Sequence, residues 1–181
     1  MKDNDGATSS FSSIKTVLNR PPVAVFTESA TTVFTNEVIY FNASRSYDPD
    51  GSIVSYSWTF GDGTNATGMV VTHAYSNNGA YTVTLKVTDN DGATTTTAKT
   101  VTVLDRPPIA SFTVSASTVP TGTTVSFNAS ASYDPDGSIT SYSWTFGDGT
   151  NGTGAVVSHS YVENGTYIVK LTVTDDDGLT G

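Results

Sequence analysis

The stretch Ala80-Tyr-Thr-Val-Thr-Leu-Lys-Val-Thr88 decides the fold class. Tyr81, Val83, Leu85 and Val87 alternate with Thr82, Thr84, Lys86 and Thr88. A period of two sends one set of side chains into a core and the other into water, as a half-buried sheet requires. A helix needs apolar residues near a period of 3.6, and none is sustained along the 181 residues. The chain reads as all-β.

Outward from that strand, further candidates fall at 23–27, 37–43, 52–60, 68–75 and 94–103. Between them stand Asp48-Pro-Asp-Gly51, Gly61-Asp-Gly63, Asn77-Asn-Gly79 and Asp89-Asn-Asp-Gly92. These are turn sequences, because Gly tolerates positive φ and Asp and Asn bond their own backbone. About seven short strands at such spacing predict a two-sheet antiparallel sandwich, immunoglobulin-like in architecture. Tyr56, Trp58 and Phe60 share one face of a central strand, with Trp58 expected between the sheets.

The chain then repeats itself at an offset of 86 residues: Pro21-Pro22 returns as Pro107-Pro108 and Trp58 as Trp144. Between 21–95 and 107–181 no insertion intervenes and about two thirds of the pairs are identical. A unit of this length is a small domain rather than a solenoid repeat. Ile39/Val125 and Phe41/Phe127 stay apolar while Val38/Thr124 and Tyr40/Ser126 drift, which separates an inside face from an outside face. The expected organisation is 1–20 as the last strand of a preceding copy plus linker, 21–106 as a complete domain, and 107–181 as a domain lacking its last strand. Leu104-Asp-Arg-Pro-Pro108 joins the copies as an extended, semi-rigid linker.

Composition excludes several functions. The net charge is −9 with eight Lys and Arg, which gives no footprint for nucleic acid or anionic membranes. Zero cysteine removes disulfides, thiol catalysis and zinc-thiolate sites. No run approaches the ~18 apolar residues of a membrane span. Gly61-Asp62-Gly63 follows a strand but no helix follows it, so it reads as a tight turn and not a phosphate loop. His73 and His159, the two histidines, have no nucleophile in the pattern and read as structural partners of Tyr75 and Tyr161. No catalytic residue is expected.

Taken together, Tyr47-Asp-Pro-Asp-Gly-Ser-Ile53, Tyr56-Ser-Trp-Thr-Phe-Gly-Asp-Gly63, His73-Ala-Tyr75 and the run from Gly79 to Asp89 resemble the polycystic kidney disease (PKD) domain. The same motifs stand at 133–139, 142–149, 159–161 and 165–175, so the resemblance covers essentially the whole chain. It implies tandem seven-stranded β-sandwiches in a linear array, of the kind found in microbial cell-surface, surface-layer and secreted proteins. In that family the domain is a spacer or binding module without catalysis of its own.

Two kinds of candidate site stand in both copies. Asp48, Asp50 and Asp89, repeated as Asp134, Asp136 and Asp175, offer hard oxygens in the spacing Asp-Pro-Asp-Gly, which suits Ca²⁺. The alternative is that they are turn residues bonding their own backbone. The resemblance implies calcium there, with oxygens added by the linker near Asn19 and Asp105. Asn42, Asn65, Asn128, Asn151 and Asn164 begin glycosylation acceptor sequences, of which Asn65, Asn151 and Asn164 are the candidates for exposed loops.

The expected function is that of an extracellular structural protein: a filament, stalk or surface-layer segment whose partners are neighbouring copies of itself. Donation of residues 10–18 to the sandwich that lacks a last strand would build a head-to-tail polymer. The blander reading is an excerpt of a longer array. Lys15 stands where Val101 points inward, although Phe11 and Val17 keep the parity. A carbohydrate- or protein-binding accessory module of a secreted hydrolase, with Tyr40 and Tyr56 as exposed aromatics, is the alternative.

Overall fold

The computed structural model describes residue 8 and residues 10–181. The part of the preceding-copy assignment that falls on 1–7 and 9 lies outside the described residues. The first sandwich is built from β1 (Thr27–Glu28), β2 (Thr32–Phe34), β3 (Ile39–Asn42), β4 (Ile53–Thr59), β5 (Asn65–Thr67), β6 (Val70–His73), β7 (Gly79–Asp89) and β8 (Thr94–Leu104). Its two sheets run β1-β3-β6 and β2-β8-β7-β4-β5. The expected seven strands become eight segments because the first one changes sheets. β1 pairs antiparallel with β3, and a few residues on β2 runs parallel to β8.

The alternation in β7 does what the sequence implies: Val83, Leu85 and Val87 are fully buried. They meet Trp58, Phe60, Ile39, Phe41 and, from β8, Val101 and Val103. Phe26 and Phe41 close on the Trp58 ring at 5.1 and 5.9 Å between centroids, in edge and tilted geometries that favour aromatic pairs. Tyr56 is half-buried against this core. It is therefore not the exposed platform that the sugar-stacking alternative needs.

The second sandwich repeats the frame with β9 (Thr113–Val114), β10 (Thr124–Asn128), β11 (Ile139–Thr145), β12 (Asn151–Thr153), β13 (Val156–Ser160) and β14 (Lys170–Asp175). Its sheets are β13-β10-β9 and β12-β11-β14. The counterparts of β2 and β8 are not strands, for a common reason. In the first sandwich, residues 79–83 and β2 take their ladder bonds from β8 alone. The equivalent hairpin does start, with Thr180 bridged to Thr174 as Thr94 is paired to Thr88. Beyond that point the 181 residues supply no strand, and residues 165–169 stay unpaired. Phe112 is 38% exposed where its counterpart Phe26 is 2%.

A groove of about 680 Å³ lies where β8 would pack, lined by Phe112, Val119, Phe127, Tyr161 and Val169. Residues 10–18, read from the sequence as a copy of a last strand, form no strand. Phe11, Ile14 and Val17 are exposed. A single strand without a partner edge has no ladder to hold it.

Candidate divalent-cation site

Asp48-Pro49-Asp50-Gly51 leads into β4, and Asp89 ends β7. Pairing of Ile53 with Asp89 brings both segments to the same end of the sheet. The approach is close: a Cβ on Gly51 would lie 2.3 Å from Asn90 Oδ1 and 2.6 Å from Asp48 Oδ2. A side chain there would have to displace these groups, and Gly137 repeats the close approach at 2.5 Å from Asp176 Oδ1. The loops are tied together by Ser52 N donating to Asn90 Oδ1 at 2.7 Å, and by Ser138 N donating to Asp176 Oδ1 at 2.6 Å.

Asp89 is 1% exposed and its Oδ1 accepts from the backbone of Asp91 and Ala93 at 3.0 and 2.8 Å. Asn19 donates to its Oδ2 at 3.0 Å. That bond is the main reason the Asp89 carboxyl lies below the usual range. Asp48 goes the other way: burial, then the charges of Asp50 and Asp89, push it up. Among the described residues neither Asp48 oxygen has a hydrogen-bond partner, although both are buried.

In the second copy Asp175, 2% exposed, likewise binds Asp177 N and Leu179 N through Oδ1 at 3.1 and 2.7 Å. Asp134 is raised chiefly by burial and is also opposed by Asp136 and Asp175. Asp105, on the linker, is pushed up to about 6 by burial and by the charges of Asp136, Asp177 and Asp175.

Each set of three sequence-selected aspartates thus comes to one end of its own sandwich. The turn-residue reading holds for Oδ1 of Asp89 and of Asp175, which cap their own loop backbones, and for Oδ1 of Asp134, which accepts from Asp136 N at 3.3 Å. It does not account for Asp48 Oδ1 and Oδ2, Asp134 Oδ2, Asp136 Oδ1 and Asp175 Oδ2, which are buried without partners. Among the described residues no three acidic side chains have closed to ligand distance around a common point. The carboxylates face one another and repel. A hard divalent cation fits this donor set, since it takes carboxylate oxygens and removes the repulsion. The pattern of residues did not pick out Asn90, Asp176, Ser52, Ser138 or Thr35. The first four were legible only as turn letters, with Ser52 kept as Ser138 and Asn90 changed to Asp176 at the 86-residue offset, and Thr35 left no signal.

The remaining candidates are placed as follows. Asn65 and Asn151 are exposed at the first residues of β5 and β12, and Asn164 is exposed beside the groove. Asn42 and Asn128 instead lock turns, accepting from Ser44 N and Ser130 N at 2.8 and 2.9 Å. His73 is held by Asp62 Oδ2 at 2.7 Å and stacks on Phe60, and His159 repeats this with Asp148 and Phe146. Among the described residues no helix is long and apolar enough to cross a membrane.

The profile of the PKD domain family matches residues 19–103 and 105–181. Collagenase ColA of Clostridium perfringens is 39% identical over 92 residues, 51% of this chain and 8% of that protein. The microbial collagenase of Vibrio alginolyticus is 42% identical over 87 residues, 48% of this chain and 11% of that protein. The chain therefore spans about a tenth of the length of these relatives. Among solved structures, the PKD1 domain of Vibrio anguillarum Epp is 38% identical with a TM-score of 0.43, covering 48% of this chain and 96% of that one.

Proposed function

The chain belongs to the PKD domain family, and on that premise we propose that it is a non-catalytic, extracellular spacer module. It consists of successive sandwiches of an array that holds other parts of a surface or secreted protein at a distance. The observation that carries this reading is the repetition, at one fixed offset, of the core, the linker and the aspartate cluster. Selection on a single binding face would not require all three to recur. Small-angle scattering of chains with one, two and three 86-residue copies tests it. The maximum dimension is expected to grow by one sandwich length per copy, and an array that collapses on itself would overturn the reading.

Calcium at the aspartate clusters is part of this proposal, supported by the unpartnered oxygens. Asp48, Asp50 and Asp89 would hold one ion and Asp134, Asp136 and Asp175 another. The ion would supply only charge compensation and a fixed loop geometry. Glycans at Asn65, Asn151 and Asn164 would suit an exposed array, and intact-mass measurement on native material checks them.

A second reading, a substrate-binding accessory module, is favoured by the names of the relatives, which include collagenases. Tyr40 is exposed, but position 126 holds serine, so that aromatic is not repeated. Binding of the chain to collagen or to a polysaccharide panel would establish this reading instead.

The groove of the second sandwich supports propagation of the array, one strand per groove. A strand with the apolar pattern of β8 would fill it, and residues 10–18 of another copy are the candidate within this sequence. In the register of β8, residues 10–18 put the Lys15 ammonium where Val101 is buried, and burying an unpaired charge costs several kcal/mol. This counts against donation by residues 10–18.

A further inference from the structure

The two aspartate clusters share a frame but are not chemically equal. At the first, the Asn19 amide satisfies Asp89 Oδ2, and the unpartnered buried oxygens belong to Asp48 alone. At the second, the residue 86 positions after Asn19 is Asp105, so the amide is replaced by a carboxylate. Asp105 Oδ2, Asp134 Oδ2, Asp136 Oδ1 and Asp175 Oδ2 are then all buried without a hydrogen-bond partner. One oxygen from each of four carboxylates is left in this state. Such groups are costly to bury unless a cation takes them.

The second cluster is also tied to the first sandwich. Thr35, 2% exposed, donates its hydroxyl to Asp136 Oδ2, and Arg106 N donates to the same oxygen at 3.1 Å. Thr35 N donates to the Leu104 carbonyl at 3.1 Å. The Arg106 guanidinium reaches Glu37 Oε1 at 3.1 Å and lies over the Phe34 ring at 5.0 Å. Asp136 therefore presents one oxygen to the cluster and the other to the preceding sandwich. Its counterpart Asp50 is exposed and, among the described residues, accepts from Arg20 N at 3.1 Å.

We propose that the second cluster is the tighter of two unequal Ca²⁺ sites and clamps the two sandwiches together, an inference that rests on the calcium reading above. Asp105, Asp134, Asp136 and Asp175 hold the ion. This fixes the linker at Asp105 and fixes the Asp136 carboxylate to which Thr35 is bonded. The first site, with three carboxylates and an amide, binds more weakly, because affinity for calcium rises with the number of charged ligands.

Calorimetric titration of the 181-residue chain with Ca²⁺ is expected to resolve two steps differing by about tenfold or more. Asp105→Asn lowers the tighter step to the level of the weaker one, and Asn19→Asp raises the weaker one. The chain has no cysteine, so spin labels at Ser44→Cys and Ser130→Cys, both exposed, report the distance between sandwiches. Calcium narrows that distribution in the parent chain. Thr35→Val keeps both binding steps but loses the narrowing, and circular dichroism confirms that it is folded.

Two equal steps, or a tighter step untouched by Asp105→Asn, would overturn the inequality. Narrowing that survives Thr35→Val, or is missing with calcium bound, would overturn the clamp. Absence of any calcium heat would instead remove the calcium reading on which the clamp stands.

Discussion

Trp58 Nε1 donates to the carbonyl oxygen of Gly68 at 2.8 Å while Trp58 itself is fully buried. Trp144 and Gly154 repeat the bond at 2.9 Å. The largest side chain of each core is thus fixed in rotation by the turn that precedes β6 or β13. Trp58→Phe removes the donor, leaves Gly68 O short of a partner and opens a cavity. It is expected to destabilise the first sandwich by about 2–4 kcal/mol. Urea unfolding followed by the fluorescence of Trp144 should show the second sandwich unmoved.

The Asp62–His73 contact makes the turn between β4 and β5 acid-sensitive. Burial pushes the Asp62 carboxyl up, but hydrogen bonds from Thr64 and His73 outweigh it and hold it at about 2. A carboxyl with a folded pKa below its unfolded value stabilises the fold above about pH 4, and that contribution is lost as pH falls towards 2. The melting temperature of the parent chain should drop through this window. Asp62→Asn should start lower and change less across it.

Gly61 and Gly63 both have positive φ, +85° and +90°, yet differ in surroundings. A Cβ on Gly61 would sit 2.9 Å from both Thr82 N and Thr82 O, whereas nothing lies within 4 Å of one on Gly63. Gly63→Ala should cost about 1 kcal/mol for the backbone conformation alone. Gly61→Ala should cost at least about 1 kcal/mol more, since the clash is with the backbone of β7. Equal losses for the two variants in denaturant melts would refute this account.

The groove of the second sandwich should accept a strand in trans. A peptide of residues 94–104 presents Val101 and Val103 to the groove and is expected to raise the melting temperature of the second sandwich. A peptide of residues 8–18 should not, because Lys15 takes the place of Val101; its Lys15→Val version should recover binding. Stabilisation by the unmodified 8–18 peptide would instead favour strand donation between copies.

The strand 80–88 was legible to within a residue or so of β7 because alternation is a local record of which face is buried. β3, β4 and β6 were legible within one or two residues at either end, for the same reason. β2 was not, because Thr32-Val-Phe34 pairs as a strand with Thr102–Leu104, and nothing local marks a partner 70 residues away. β5 carries the letters Asn65-Ala-Thr67, which read as an exposed acceptor sequence before they read as a strand. The candidate site was legible in its aspartates, since Asp-Pro-Asp-Gly is a local turn. It was not legible in Thr35, a threonine among many that becomes significant only because folding sets its hydroxyl against Asp136.

Period-two alternation, turn chemistry and the 86-residue echo were enough to establish an all-β array of like domains, because each is written in neighbouring residues or in direct self-comparison. The difference between the two aspartate clusters was not. A single change at one offset, Asn19 to Asp105, looks like ordinary drift in a solvent-exposed linker. Its weight comes from the space it enters, where three other carboxylates already crowd and Thr35 arrives from the preceding sandwich. Electrostatic cost depends on distance and burial, and both are set by the packing of segments far apart in the chain.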